Sequence, residues 1–565
     1  MKKGVEKILG ADTELGNILE CAQARVVPND IAARRLLAEI EGVSGFNAVV
    51  APVSAYAYAP YAPPAAYAPP AAYAPPAAYA PPAAYAPPAA YAPPAAYAPY
   101  AGHGVGGAAP ATSPAYDPQD WGRKFLATNG GCFYVDLGHL EACSPEVRSA
   151  RDFVAAHHAS LLTARAACER ANANLDEGER IVVMANSSDR HGNSWGGHLN
   201  VLISRELREQ IFERMYPALF VLAAFQVSSI VYTGQGKVGA ENGKPWVPFQ
   251  LTQRGDFFET LLGEQTTHRR PIVNSRDEAH CGPDAGTNGL ARLHIIFHDT
   301  TLTHGATYLK AGVTQIVLAM MEAGWCDPEV ILDDPLAALT VWGHDCDLTA
   351  RAALTGGRMV TAVEHQLLFL AAARRCVEAG DAWNVPEAEK ILALWEDTLV
   401  KLERGDMRGL AGRLDWVMKR GLLERLIERN PELDWRSPAI QAVDLLFASL
   451  DPAQGLYWAI EAAGGVERIV TKGDIRRAMA KPPADTRAWS RAMLLRQAGQ
   501  HGVASVNWDE LRLNSITPGG APTIIRLDDP RRFTQAEIQQ LAKRERNGSE
   551  QAVSTLATEP EGETS

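Results

Sequence analysis

The sequence predicts an α+β fold, and two observations carry that reading. Four short segments alternate polar and apolar residues with a period of two, the mark of strands with one solvated face. Other segments repeat their apolar residues at helical spacing. The chain has 565 residues, which suggests roughly two to four domains and leaves ample length for a core.

Taken in order, Ile8-Leu-Gly-Ala-Asp-Thr-Glu14 reads as the first strand, with Asp12 and Glu14 on one face. An amphipathic helix is expected from Asn29 to Ile40. Residues 48–117 are rich in Ala, Pro, Tyr and Gly, and residues 61–96 are six consecutive copies of Tyr-Ala-Pro-Pro-Ala-Ala. Paired prolines remove amide donors and favour polyproline II, so this tract reads as a disordered insertion, a linker more than a sticky stripe of tyrosines. The second strand, Cys132-Phe-Tyr-Val-Asp136, sets Tyr134 and Asp136 against Phe133 and Val135. A helix is expected to begin near Pro145–Glu146, where proline and an acid form a first-turn signature.

The third strand sets His198 and Asn200 against Leu199 and Val201, and the fourth sets Arg292 and His294 against Leu293 and Ile295. Between them, Pro217–Tyr232 is apolar but short for a membrane span and contains Gln226, which argues for a buried element. Ile391, Leu394, Trp395 and Leu399 share one helix face. The expected organisation is a first catalytic part at 1–47, the insertion at 48–117, a catalytic domain at 118–481, a small C-terminal domain at 482–546, and a disordered tail at 547–565.

The formal charge of −12 argues against broad nucleic-acid or anionic-membrane binding. Eight cysteines without a CxxC pair indicate neither a zinc site nor a disulfide framework. The first residues lack the apolar run of a signal peptide, so a cytoplasmic protein is expected.

A sheet built from the four strands has one face packed on helices and one face lined with carboxylates, imidazoles and a phenol. Such donors suit a hard divalent cation such as Mg²⁺, shared with nucleotide phosphates. Arg254, Arg269/Arg270, Arg276 and Arg292 are candidates to grip those phosphates. No Walker P-loop, GxSxG elbow or HExxH helix is present.

These motifs resemble the Pup ligase and Pup deamidase/depupylase family, relatives of glutamine synthetase and glutamate–cysteine ligase. The resemblance runs through Ile8–Asn17, Asn129–Glu146, Asn186–Asp189, Gly192–Asn200, Phe249–Glu259, Arg269–Glu278, Arg292–His294, Leu414–Trp416, Gly455–Tyr457, Pro482–Arg487 and Asn507–Trp508. It implies a glutamine synthetase-like large domain whose curved antiparallel sheet cradles ATP and Mg²⁺, with a small C-terminal domain. Carried over, Asp136 matches the catalytic aspartate, and Asp12, Glu14, Tyr134, Glu141, His198 and His294 match or adjoin Mg²⁺ ligands. Ser144, Asn200, Arg254, Arg276, Arg292 and Trp508 fall in the nucleotide and active-site set. Three positions depart from the family pattern: Asp12 replaces a Glu, Cys132 replaces an ATP-contacting Arg, and Leu199 replaces a Glu.

The insertion between the first strand–helix unit and Asn129, together with Phe249–Glu259 and Thr266–Glu278, resembles the deamidase/depupylase branch. The implied activity is hydrolysis of the amide or isopeptide bond at the C-terminal Gln/Glu of a Pup-like modifier, within a proteasome pathway. The alternatives are Pup–protein ligase, a non-catalytic Pup or proteasome adaptor, and an ATP-dependent ligase for a small peptide or amino acid.

Overall fold

The computed structural model describes residues 4–21, 30–44, 120–278, 280–281, 288–515 and 520–539. The chain divides into two units, residues 1–49 with 118–565, and residues 50–117. The second unit holds the six-copy repeat and, like the expected tail at 547–565, lies outside the described residues.

The first unit is organised by one sheet. Its strands are β1 (Leu9–Cys21), β2 (Val43–Ser44), β3 (Asp120–Phe125), β4 (Cys132–Asp136), β5 (His139–Cys143), β6 (Glu179–Met184) and β7 (Gly197–Ser204). Two small pairs follow, antiparallel β8 (Lys237–Val238) with β9 (Phe249–Gln250) and parallel β10 (Phe258–Gly263) with β11 (Arg270–Asn274). Strand β12 (Leu290–Ile295) closes the main sheet, whose order is β12-β7-β1-β5-β4-β3-β2, with β6 also on β1. Every pairing in this sheet is antiparallel.

The alternation read from the sequence sorts the two faces. Leu9, Ala11, Leu199, Val201, Leu293 and Ile295 point into one large core with Phe153, Val154, Ile316 and Trp395. Burying each large apolar side chain there contributes about 1.5–3 kcal/mol. The helices behind this face include Ala150–Asn172, Ala218–Thr233, His304–Ala323 and Ala388–Glu403. Ala218–Thr233 is the apolar stretch noted in the sequence, and almost all of it is buried. Among the described residues no single helix is long and apolar enough to cross a membrane.

The first helix spans Asp30–Ala38, inside the expected range. The helix expected near Pro145–Glu146 begins instead at Ala150, capped by the Ser149 hydroxyl, which accepts from the Asp152 amide. The intervening residues have other partners: Val147 exchanges backbone hydrogen bonds with Leu9, and Glu146 is taken by two arginines. Leu199 faces the core at 0% exposure, so an apolar residue suits that position.

Strands β2 and β3 pair (Val43 with Phe125), so residues 45–119 connect two neighbouring strands at the sheet's edge. The C-terminal part adds helix Ala488–Gly502 and a three-stranded sheet, Val503–Val506, Glu510–Leu513 and Thr523–Arg526. Its Leu495, Val503, Val506 and Leu511 cluster with Val43, Phe125, Cys132 and Cys143.

Candidate active site

Register decides which polar groups meet. On the open face Asp12 of β1 lies between Cys143 of β5 and His198 of β7, and Glu14 lies opposite Glu141. Tyr134 of β4 pairs with Glu141, and His294 of β12 with Asn200. Asp136 ends β4 at a two-residue turn, Leu137-Gly138, where both residues are left-handed (φ 44° and 91°). That geometry matches the twist of a tight hairpin, and it fixes Asp136 at the rim of the carboxylate patch.

Three groups of ligand atoms converge to within 4.8 Å: Glu14, Asp136 and Glu141; Asp12, His198 and His294; and Asp12, Glu141 and Cys143. Burial, and then the carboxylates of Asp12, Glu14 and Asp136, push Glu141 well above the usual carboxyl range against an opposing hydrogen bond from Tyr134. Burial, followed by Glu141, pushes the Tyr134 phenol up as well. Burial and then Arg254 hold His198 well below the usual imidazole value, while burial and then Arg292 do the same to His294. Both imidazoles are therefore neutral, the form that binds metal.

Around this patch, Asn200 donates to Asp12 (2.7 Å), and Arg292 donates to Asn200 (3.1 Å) and to Glu278 (3.2 Å). Arg254 is buried at 1% exposure, and its pKa is lowered to about 10 by burial and by Arg270, so it stays charged at neutral pH. Gly196 explains how Arg254 and His198 approach one another: a Cβ there would lie 2.2 Å from His198 Nε2 and 2.3 Å from Arg254 Nη1. Arg276 stands half-exposed at the rim, with Nε 3.7 Å from Glu278.

A cleft adjoins the patch, lined among others by Asp12, Ser144, Asn200, Arg292, Arg487 and Trp508. The Ser144 hydroxyl accepts from the Ala11 amide (2.9 Å), which leaves its own O–H free to donate. Trp508 packs edge-on against Phe125, with ring centroids 5.1 Å apart.

The comparisons with known proteins fit this arrangement. The family model described as Pup-ligase protein matches residues 82–512. The chain belongs to that family. It is 36% identical over 432 residues to the depupylase of Acidothermus cellulolyticus, covering 75% of this chain and 82% of that one. To the Pup deamidase/depupylase of Mycolicibacterium smegmatis it is 33% identical over 429 residues, with 75% and 82% covered. To the Pup–protein ligase of Acidimicrobium ferrooxidans it is 32% identical over 418 residues, with 73% and 88% covered. Among solved structures, the Pup ligase PafA in complex with ADP matches with a TM-score of 0.64 at 26% identity, covering 77% of this chain and 91% of that one. The complex of Pup with its ligase PafA gives a TM-score of 0.70 at 22% identity, covering 97% and 93%, a likeness of fold alone.

The residues of this Pup-ligase family member fit a divalent cation. His294 is 6% exposed, and neither ring nitrogen has a hydrogen-bond partner. An unpartnered buried imidazole at ligand distance from an aspartate is costly unless something binds it. Oxygen donors with neutral imidazoles also make a chemically coherent ligand set.

Three features of the site escaped sequence reasoning. Cys143 joins Asp12 and Glu141 because of cross-strand register, which the linear sequence does not display. Arg123 lies 4.6 Å from the Tyr134 ring centroid, a cation beside the carboxylate patch. Glu146 is clamped by Arg487 and Arg491, and Arg491 also donates to Gly130 (2.8 Å) and to the Trp508 carbonyl (2.9 Å). Arg491 thus ties Glu146 and Trp508, which both line the cleft, to Gly130. The matched segments Asn129–Glu146, Pro482–Arg487 and Asn507–Trp508 contain the partners of this clamp, but not Arg491 itself.

Proposed function

We propose that this chain is an ATP- and Mg²⁺-dependent deamidase/depupylase that hydrolyses the side-chain amide or isopeptide bond at the C-terminal Gln/Glu of a Pup-like modifier. The observation that carries this reading is the convergence of Asp136 with Glu14 and Glu141 on the open face of the sheet, with Arg254 and Arg270 close enough to Glu14 to feel its charge. The likeness to proteins named depupylase and Pup deamidase/depupylase selects the branch.

In this reading Asp12, Glu14, Tyr134, Glu141, His198 and His294 hold Mg²⁺, which, when bound, supplies Lewis-acid charge to phosphate or acyl oxygens. Ser144, Asn200 and Trp508 position the nucleotide in the cleft. Arg254, Arg276 and Arg292 face developing negative charge on the acyl centre or phosphates, and a buried guanidinium acts more strongly there than in water. Asp136 attacks the side-chain carbonyl or takes the proton of the attacking water, so that ammonia leaves from a Gln or a lysine leaves from a conjugate. Residues 1–47 and 118–481 together supply the catalytic part, with β1 inside its sheet, and 482–546 form the lobe that carries Trp508. The proteins acted on are the modifier and its lysine conjugates. No disulfide joins any of the eight cysteines, all among the described residues, which accords with a reducing, cytoplasmic setting.

The test is incubation of the full chain with ATP, Mg²⁺ and either a Gln-ended or a Glu-ended Pup-like protein, followed by mass spectrometry. Conversion of Gln to Glu and release of modifier from a conjugate support the reading. Conjugate formation from the Glu-ended form would instead assign a ligase, and no reaction with either would leave a binding role.

A further inference from the structure

We infer that Cys143 is a sulfur ligand in the cation site, and that this chain therefore binds a thiophilic divalent ion of the Co²⁺/Zn²⁺ class there in addition to Mg²⁺. The inference rests on reading the carboxylate patch as a cation site and not on any chemistry of the modifier.

The geometry comes from four strands, β1, β5, β7 and β12. Cys143 is the last residue of β5, directly opposite Asp12 on β1 and on the same face as Glu141 two residues earlier. Its Sγ lies 3.9 Å from Glu141 Oε1, and one ligand atom from each of Asp12, Glu141 and Cys143 falls within 4.8 Å of the others. The thiol is 4% exposed, so a metal there would be shielded from competing water. Asp12 also belongs to the group with His198 and His294, and His294 is buried with both nitrogens unpartnered. One aspartate thus joins two sets of donors: an imidazole pair on one side, and a carboxylate with a thiol on the other.

Donor softness gives the consequence. A site of carboxylate oxygens alone suits Mg²⁺, whereas thiolate and imidazole favour later first-row ions and Zn²⁺. On binding, a metal–sulfur bond forms, and the thiol proton passes to solvent. Nothing is oxidised or reduced. An ordinary buried cysteine serves as a small apolar group, and Cys143 does touch such a cluster on one side. Its other side faces two carboxylates, which an apolar role does not require.

The test uses the full chain freed of metal and titrated with Co²⁺ while the near-ultraviolet spectrum is recorded. The inference expects a thiolate-to-cobalt charge-transfer band that saturates with one site. The band should be lost in Cys143→Ser and in Asp12→Asn, and kept in Cys132→Ser. It further expects Co²⁺ affinity to fall on the order of tenfold in Cys143→Ser, with an unchanged far-ultraviolet circular dichroism spectrum and melting temperature as evidence that the variant is folded. Co²⁺ binding without the band, or a band that survives Cys143→Ser, overturns the sulfur ligand while leaving the cation site intact. Failure of both Co²⁺ and Mg²⁺ to bind overturns the cation site itself. Activity towards any modifier enters none of these outcomes.

Discussion

Two buried glutamates five residues apart show opposite chemistry. Burial and neighbouring carboxylates push Glu141 well above the usual range. Burial also pushes Glu146 up, but Arg491 and Arg487 more than offset it and bring its carboxyl to about 2. Both side chains lie in similarly dry surroundings, at 3% and 9% exposure. The difference is compensation. Glu146 has its counter-charges built in and holds the cleft together, whereas Glu141 sits among like charges with only the hydrogen bonds of Tyr134 and Cys143 to offset them. An under-compensated buried charge marks a functional site, and a saturated one marks a structural joint.

Breaking the joint should have the largest effect on folding. Arg491→Ala leaves Glu146 with half its clamp and frees the Gly130 and Trp508 carbonyls, which should cost about 3–5 kcal/mol, measured by urea denaturation. Glu141→Gln should act in the other direction. The metal-free protein should be as stable as the parent or up to about 1 kcal/mol more stable, while Mg²⁺ affinity falls on the order of 10–100-fold, both accessible by calorimetry. If the two substitutions destabilised the protein equally, the contrast would be wrong.

The same contrast predicts a pH dependence. The folded-state pKa of Glu146 is depressed from 4.5 to about 2. Its contribution is therefore present above about pH 4.5 and is lost as pH falls towards 2, because the unfolded chain takes up the proton first. The span corresponds to about 3 kcal/mol. Glu146→Gln should lack this dependence when stability is followed between pH 5 and pH 2.5 (values on the order of the window set by the pKa). The smallest effect is expected at Gly196. Gly196→Ala drives a methyl between His198 and Arg254, and should lower metal affinity about tenfold with little change in stability.

The sequence showed which residues share a face, since backbone alternation fixes that without reference to partners. Asp12 with Glu14, Tyr134 with Asp136, His198 with Asn200, and Arg292 with His294 all appear on the open face of one sheet. It did not show register, and so Cys143 went unnoticed beside Asp12. Nor did it show which charges find long-range partners: the Glu146–Arg491 pair joins residues 345 apart. The misplaced helix start has the same origin. Pro145-Glu146 carries the local signature of a first turn, yet pairing of Val147 with Leu9 and the pull of two arginines keep that segment extended until Ser149.

Asp136→Asn, assayed on a Gln-ended modifier alongside Mg²⁺-dependent ATP binding, tests most directly whether the open carboxylate face acts through Asp136. Turnover should fall by at least on the order of 10²-fold, with ATP binding unchanged. Turnover close to that of the parent protein would contradict the assignment.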